Sequence, residues 1–439
     1  MALKEGSELR AQEASTSRRA LLARGAALAV VGAAGLVATA PPSPALAGTD
    51  PKDFIVTDYG AVGNGSTDDT TSIRNAITAA SVKGGIVMFP PGTYQVSGTL
   101  TVASTGVTLR GSGRTATVIR ATAAFASGDV IKYNAVAVGA VESLTIVSAA
   151  VRTGGAGIHL LNSREINILD VNMSNMFVGT WLEGSCVQIY LKRGYYTNNS
   201  SSGIGLWVDC PNGNDHFISD LIIWHDSLVR ANRPNSGIRI SGSQATWLDS
   251  VDALQCKEGL TIDPPAGGII TWLFISNSAF DTCSDAAIAI KPATGAVCNG
   301  ISFTQSWAAT SAAGPGVVIS GPAVGVQMVN MRILNNSGHG ITVSDTTRDV
   351  LLDACVIAGN GRVTAGSSGA IFAANSTAFA VRNCTIGARL AFAATQAVGL
   401  TVGTGSSGYI VGLNDLRGNT TSSFVDGGTG YAVTADNFL

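Results

Sequence analysis

The sequence predicts an all-β solenoid: a parallel β-helix closed at its N-terminal end by a short helix. Three observations predict it. From about residue 100 onward a loose unit recurs, made of a short apolar strand, a small polar turn, a second strand and then Gly or Asn. Aligning four copies, from Thr271, Asn299, Val326 and Phe379, stacks Asn277, Gln305, Asn330 and Asn383 at one turn, with steps of 28, 25 and 53 residues, the last being two rungs. Repeats of this length without intervening helices mark a solenoid, and their uneven spacing marks a β-helix. The 53 glycines suit a chain that turns tightly in every coil. A β-sandwich would show cleaner in-out alternation and no amide column. The column is expected to be structural, its amides satisfying one another and the turn backbone.

Residues 1–47 read as an export signal rather than as fold. Ser17-Arg18-Arg19 precedes an uncharged run from Gly25 to Ala40 and an Ala45-Leu46-Ala47 cleavage site. A twin-arginine region, a short apolar segment and A-x-A are the parts of a Tat-type signal peptide, cut before Gly48. The apolar run is shorter than the roughly 20 residues that a membrane span needs. The mature protein, 48–439, is expected to be a single secreted β-helix domain, with a capping segment at about 53–98 and no membrane contact. Signal removal takes away five basic and three acidic groups, moving the formal charge from -2 to -4. A nucleic-acid partner would call for a basic face, which this chain lacks. The seven cysteines include no C-x-x-C pair, so no zinc site is expected. They are read as buried thiols, with one or two disulfides as the alternative.

The open end of a β-helix exposes unpaired strand groups and must be covered. "DYGAVGNGSTDDTTSIRNAI", Asp58 to Ile77, supplies the cover. Asp68 or Asp69 caps a short helix whose apolar face is Ile73, Ala76, Ile77 and Ala80, with Gly84-Gly85 just past its end. "GGIVMFPPGTYQVSGTL" then gives a strand, a Pro-Pro-Gly turn and the first rung. Both aspartates are therefore read as cap and turn residues, not as a catalytic pair.

This block, from "DFIVTDYGAVGNGSTDDTTSIRNAI" through "GGIVMFPPGTY" to "LRGSGRTATVI", resembles the N-terminal signature of the pectate-lyase-like superfamily of right-handed β-helix proteins. That superfamily includes proteins related to glycoside hydrolase family 28, phage tailspike depolymerases and mannuronan epimerases. The resemblance covers residues 53–114 and implies a right-handed coil and an activity on acidic or branched polysaccharides; it does not choose the reaction. Gly338-His339-Gly340 is similar to a polygalacturonase motif, but no Asp or Glu lies between Ala286 and Ser344 to complete that site, so a glycine turn is the better reading. The "DPHE" motif of the epimerases is absent, and no calcium-binding aspartate cluster of a pectate lyase can be mapped.

The chemistry is expected between residues 207 and 285, where charge gathers in a chain with only 13% charged residues. Aligning "LIIWHDSL" with "WLDSVDAL" places Asp226 and Asp252 in one column on successive rungs, about 4.8 Å apart. That separation approaches the carboxylate spacing of retaining glycosidases, and mutual repulsion would leave one acid and one nucleophile. Asp249, Glu258 and Asp281 are substitutes, and solvated turn carboxylates are the bland alternative. Trp224, Trp247 and Trp272 follow at steps of 23 and 25 and could form a ladder for sugar rings, or a buried stack. His216, His225, Arg230, Arg239 and Lys257 would bind substrate, or supply the base and cation of a uronate lyase, for which Ca²⁺ is a possible cofactor. The net charge of -4 favours hydrolysis over elimination. The function expected is an exported polysaccharide-cleaving glycoside hydrolase, with a lyase or a non-catalytic glycan-binding spike as alternatives, acting as a monomer or homotrimer.

Overall fold

The computed structural model describes residues 53–439, apart from 198–199, 228, 389–394, 430–431 and 434–435. The predicted signal peptide lies outside these residues. Helix α1 (Thr70–Ala80) is the one α-helix among them and buries Ile73, Ala76, Ile77 and Ala80 against the first rung. The two aspartates divide the work of starting it. Asp68 Oδ1 accepts the Thr70 N–H at 3.0 Å, while Asp69 turns back and accepts the Val62 and Gly63 N–H groups at 2.6 and 3.1 Å. Asp68 closes the free end of the helix, and Asp69 ties down the glycine loop before it.

Everything after the helix coils in parallel rungs. Thirteen strands, from Leu100–Val102 to Ser422–Asp426, form a straight ladder, and the remaining strands form a second, bent one. Inward side chains stack in register, as Leu191, Ile218, Leu248 and Ile275 do on successive rungs. All seven cysteines are buried free thiols in this interior.

The bend in the second ladder explains the predicted polar column. Asp220, Ser250, Asn277, Gln305, Asn330 and Asn383 all have φ between 49° and 55°, the left-handed conformation that turns each strand. Short polar side chains tolerate that conformation best, which is why asparagine recurs there. The four predicted residues are thus aligned, but their amides do not satisfy one another. Asn277 and Asn383 donate to Asp249 and Asp353 on preceding rungs, each at 2.8 Å. The amide ladder lies inside the coil instead, where Asn336 donates to Asn360 and Asn360 to Gln396, each at 2.8 Å.

The straight ladder carries a column the repeat search did not isolate. Gly157, Gly179, Gly205, Gly237 and Gly259 sit one above another, and Gly340 and Gly369 continue the line. A Cβ at Gly179 would lie 2.3 Å from the Gly205 carbonyl oxygen, and one at Gly340 would lie 2.3 Å from that of Gly369. Close approach, not turn geometry, selects glycine here. It also accounts for Gly338-His339-Gly340: His339 Nδ1 accepts the Ser368 N–H at 2.8 Å and belongs to the frame, with burial lowering its pKa.

Candidate functional site

Two residues beyond each glycine of the column, the straight ladder presents an outward side chain, giving His159, Trp181, Trp207, Arg239 and Thr261 on successive rungs. Their planar groups stack. The His159 and Trp181 rings are 4.5 Å apart, Trp181 and Trp207 4.8 Å, and the Arg239 guanidinium lies 5.1 Å over Trp207. Both faces of Trp207 are therefore covered, and its edge borders a groove of about 490 Å³ with Phe177 and Ile204.

The polar wall of the groove is built from ion pairs. Arg239 Nε donates to Asp263 at 2.9 and 3.1 Å. Lys291 Nζ meets Glu258 at 2.5 Å, and the Thr261 hydroxyl donates to the other Glu258 oxygen at 2.7 Å. Arg230 clamps Asp285 with two bonds of 2.5 Å. Burial alone would raise the Asp285 carboxyl, but Arg230 holds it below its ordinary range. Lys257 Nζ donates to Asn235 Oδ1 at 2.8 Å and to the Ser201 carbonyl at 2.9 Å. Of the predicted residues, Glu258, Arg239, Lys257 and Arg230 are thus brought together here.

The remaining predictions separate. Asp252 pairs in register with Ile222 on the preceding rung, and Asp226 lies beyond the end of that strand, so the two do not share a column. The ladder steps by 30 residues here, from Ser219 to Asp249 and from Ile222 to Asp252 alike, whereas the sequence alignment stepped by 26. The carboxylate that acts electrostatically on Asp281 is Asp252, one rung before it and two residues offset. Burial raises the pKa of both; the charge of Asp252 adds to the rise at Asp281, which also accepts hydrogen bonds from the Thr282 N–H and the Thr310 hydroxyl. Asp249 accepts from Ser276 at 2.6 Å and Asn277 at 2.8 Å, bonds that lower its pKa and make it a corner carboxylate.

The tryptophan ladder is also corrected. Trp247 stacks between Phe217 and Phe274, at 4.7 and 5.4 Å, whereas Trp224 stands opposite Leu254 and Trp272 occupies a left-handed corner with φ 57°. In the Tyr190–Phe217–Trp247–Phe274 stack the rings cover one another and present edges rather than faces. His216 is fully buried with neither ring nitrogen hydrogen-bonded, so it cannot touch a polysaccharide; burial lowers its pKa to about 4. His225 accepts the Ser227 N–H at 3.0 Å, and burial lowers its pKa too.

Sequence reasoning missed a chain of three groups at the N-terminal end of the groove face. His159 Nδ1 lies 2.8 Å from Asp129 Oδ2, and its Nε2 lies 2.9 Å from Glu183 Oε2. Burial alone would raise Asp129, but the hydrogen bond and charge of His159 lower it. Glu183 is in register with Asp209, which accepts a hydrogen bond of 2.9 Å from Ser241; Ser241 in turn accepts the Trp207 indole N–H at 2.8 Å. Ser241 is placed by a register shift in its strand. Among the described residues no cluster of three or more His, Cys, Asp or Glu side chains is arranged to share a metal ion.

A family model described as rhamnogalacturonase A/epimerase, pectate lyase-like, matches residues 54–246, and one described as a right-handed β-helix region matches residues 233–416. The chain belongs to the pectate-lyase-like superfamily of right-handed β-helix proteins. Within that superfamily it is similar to the mannuronan C5-epimerases AlgE3 and AlgE6 of Azotobacter vinelandii, at 45% and 43% identity over 76 residues. Those matches span 16% of this chain and only 4% and 9% of the relatives. The coil is similar to the solved A-module of AlgE6, with a TM-score of 0.59 and 18% identity over 88% of this chain and 98% of that one. It is likewise similar to a mutant tailspike of E. coli bacteriophage HK620 in complex with pentasaccharide, with a TM-score of 0.58 and 13% identity over 87% of this chain and 80% of that one. At these identities the structural likeness is one of fold.

Proposed function

We propose that this protein is an exported enzyme that holds a polysaccharide in the groove of the straight ladder and cleaves it by hydrolysis. The observation that carries the reading is the groove lining. Apolar Phe177, Ile204 and the Trp207 edge stand against donors and acceptors whose charges balance, Arg239, Lys257 and Lys291 against Glu258, Asp263 and Asp285. A surface that offers apolar patches with closely spaced donors and acceptors suits hydroxyl-rich rings. The mannuronan epimerases, and the tailspike named as a pentasaccharide complex, lend the same direction to the reading.

Hydrolysis is preferred to elimination because elimination needs a cation at the uronate carboxylate. In this groove Arg239, Lys291 and Arg230 are already paired with carboxylates, and Lys257 is bonded to Asn235 and Ser201. The same pairing favours a second reading, a groove that binds glycan without cutting it, since Glu258, Asp263 and Asp285 are each already held by a protein cation. One experiment separates the readings. The mature protein, 48–439, is incubated with neutral and acidic polysaccharides while reducing ends and the absorbance of unsaturated uronates are followed together. Reducing ends without that absorbance are expected; both signals rising would establish a lyase. Binding with neither signal would leave the binding reading in possession.

A further inference from the structure

We infer that Glu183 and Asp209, which flank this groove two residues beyond Trp181 and Trp207, are its catalytic acid and nucleophile, and that Asp129 and His159 position Glu183 through a proton relay. The inference rests on the reading that the groove holds a glycan, and adds the machinery that the groove's own ion-paired carboxylates lack.

The geometry fixes the protons. His159 is buried, with only 3% of its side chain exposed, and stacks on Trp181, so its ring cannot swing. Asp129 accepts the Ala156 N–H at 3.0 Å on one oxygen and faces His159 Nδ1 on the other, so Nδ1 carries a proton. Between His159 Nε2 and Glu183 Oε2 there is then room for one more proton, on the nitrogen with Glu183 ionised or on Glu183 with the ring neutral. Lys132, 3.7 Å from Asp129, and Arg152, on which the Asp129 charge acts, are the other charged groups on this side. The relay is most open to solvent at Glu183, whose side chain is 35% exposed against 14% for Asp129.

Asp209 stands directly across the ladder from Glu183. One rung is about 4.8 Å, close to the roughly 5 to 5.5 Å between the carboxyl groups of retaining glycosidases. Its Oδ1 is aimed by Ser241, which is itself aimed by the Trp207 indole. In the first step an Asp209 oxygen bonds to the anomeric carbon as the glycosidic C–O bond breaks, and the departing oxygen takes the Glu183 proton. In the second, water attacks the anomeric carbon, its proton passes to Glu183, and the ester bond to Asp209 breaks. Acid and nucleophile are thereby restored, and one water is consumed per bond cut.

The test uses the polysaccharide found by the panel, with calorimetry for affinity, reducing-end release for turnover and NMR for the configuration of the new end. Glu183→Gln and Asp209→Asn should keep wild-type affinity and melting behaviour while kcat falls by about 10²- to 10⁴-fold. Products should retain their anomeric configuration. His159→Asn should lower kcat with KM unchanged, because the ring that orients Glu183 is gone while the groove that binds the chain is intact. Turnover within twofold of wild type in either carboxylate variant, or inverted products, overturns the assignment and leaves the groove reading standing. Wild-type binding without turnover does the same. Failure of wild type to bind any polysaccharide removes the groove reading, and the assignment falls with it. Because His159 bridges two carboxylates in the frame, the isosteric Glu183→Gln change decides if the His159 variant fails to fold.

Discussion

On the straight ladder every carboxylate that lines the groove meets a cation, Asp263 with Arg239, Glu258 with Lys291 and Asp285 with Arg230. On the bent ladder Asp252 and Asp281 repel each other, with no ion pair to either among the described residues. Their histidines differ in the same way: His159 is held between two carboxylates, while His216 is buried with both nitrogens unpartnered. A raised carboxyl or a desolvated histidine is commonly taken as the mark of an active site. Here those marks fall on the bent ladder, away from the groove beside Trp207, and burial is their first cause, with the charge of Asp252 adding to the rise at Asp281. The straight ladder shows instead oriented hydrogen-bond chains, from Asp129 through His159 to Glu183 and from Trp207 through Ser241 to Asp209, and orientation is what chemistry needs.

The largest expected difference between the faces concerns backbone approach. Gly179→Ala would bring a Cβ within 2.3 Å of the Gly205 carbonyl and 2.9 Å of the Tyr196 ring, so the rungs of the straight ladder must separate. A loss of roughly 3 kcal/mol is expected in chemical denaturation, whereas Ser219→Ala on the bent ladder should stay within about 0.5 kcal/mol. Equal effects would mean that the glycine column is not what sets rung spacing.

That column also shows how far the sequence could be read. The repeat, the capping helix and the buried thiols follow from local chemistry, and Ile73, Ala76 and Ile77 are buried as their spacing implies. The site was harder to see because rung lengths vary, 30 residues from Ile218 to Leu248 and 27 from Leu248 to Ile275, and an assumed step of 26 misses the register. Counting from Trp and Asp therefore paired Asp226 with Asp252. Counting from the glycine column keeps register: two residues on lie His159, Trp181, Trp207 and Arg239, and four residues on from Gly179 and Gly205 lie Glu183 and Asp209. The usable signal was the residue with no side chain, since close approach leaves no freedom there, while the surface residues that carry chemistry are free to vary.

Next in size is the histidine contrast. Burial lowers the pKa of His216 to about 4, below its ordinary 6.5, so the unfolded chain binds the proton more tightly and stability falls as pH drops from 6.5 to 4. By linkage His216→Leu should remove a penalty of about 2 kcal/mol at pH 5 and change little at pH 8 from this source. Denaturation at the two pH values measures it, and an equal effect at both would show that packing rather than ionisation governs the site.

A smaller effect is expected from the carboxylate pair. The folded-state pKa values of Asp252 and Asp281 are raised, so the native state holds their protons more tightly and stability is lost as pH rises from the ordinary carboxylate range through the raised values. Asp252→Asn should therefore be more stable than wild type at neutral pH and equal to it near pH 3, with cleavage within twofold of wild type. A hundredfold loss of cleavage would move the active site to the bent ladder and reverse the comparison between the two faces.

Trp272 gives the smallest effect and the sharpest reading of exposure. It is 59% exposed, and its φ of 57° falls in a corner column that continues through Gly300 and Gly325. A bulky residue in that conformation is strained by about 1 to 2 kcal/mol, and the Trp272 ring recovers part of this by lying over Gly300. Trp272→Gly should consequently leave stability unchanged or raise it by up to about 1 kcal/mol, with glycan affinity as in wild type. If affinity instead fell tenfold, the exposed aromatic at the corner would be part of the binding surface, and the strain it carries would have a functional reason on the bent ladder comparable to the indole that aims Ser241 and Asp209 on the straight one.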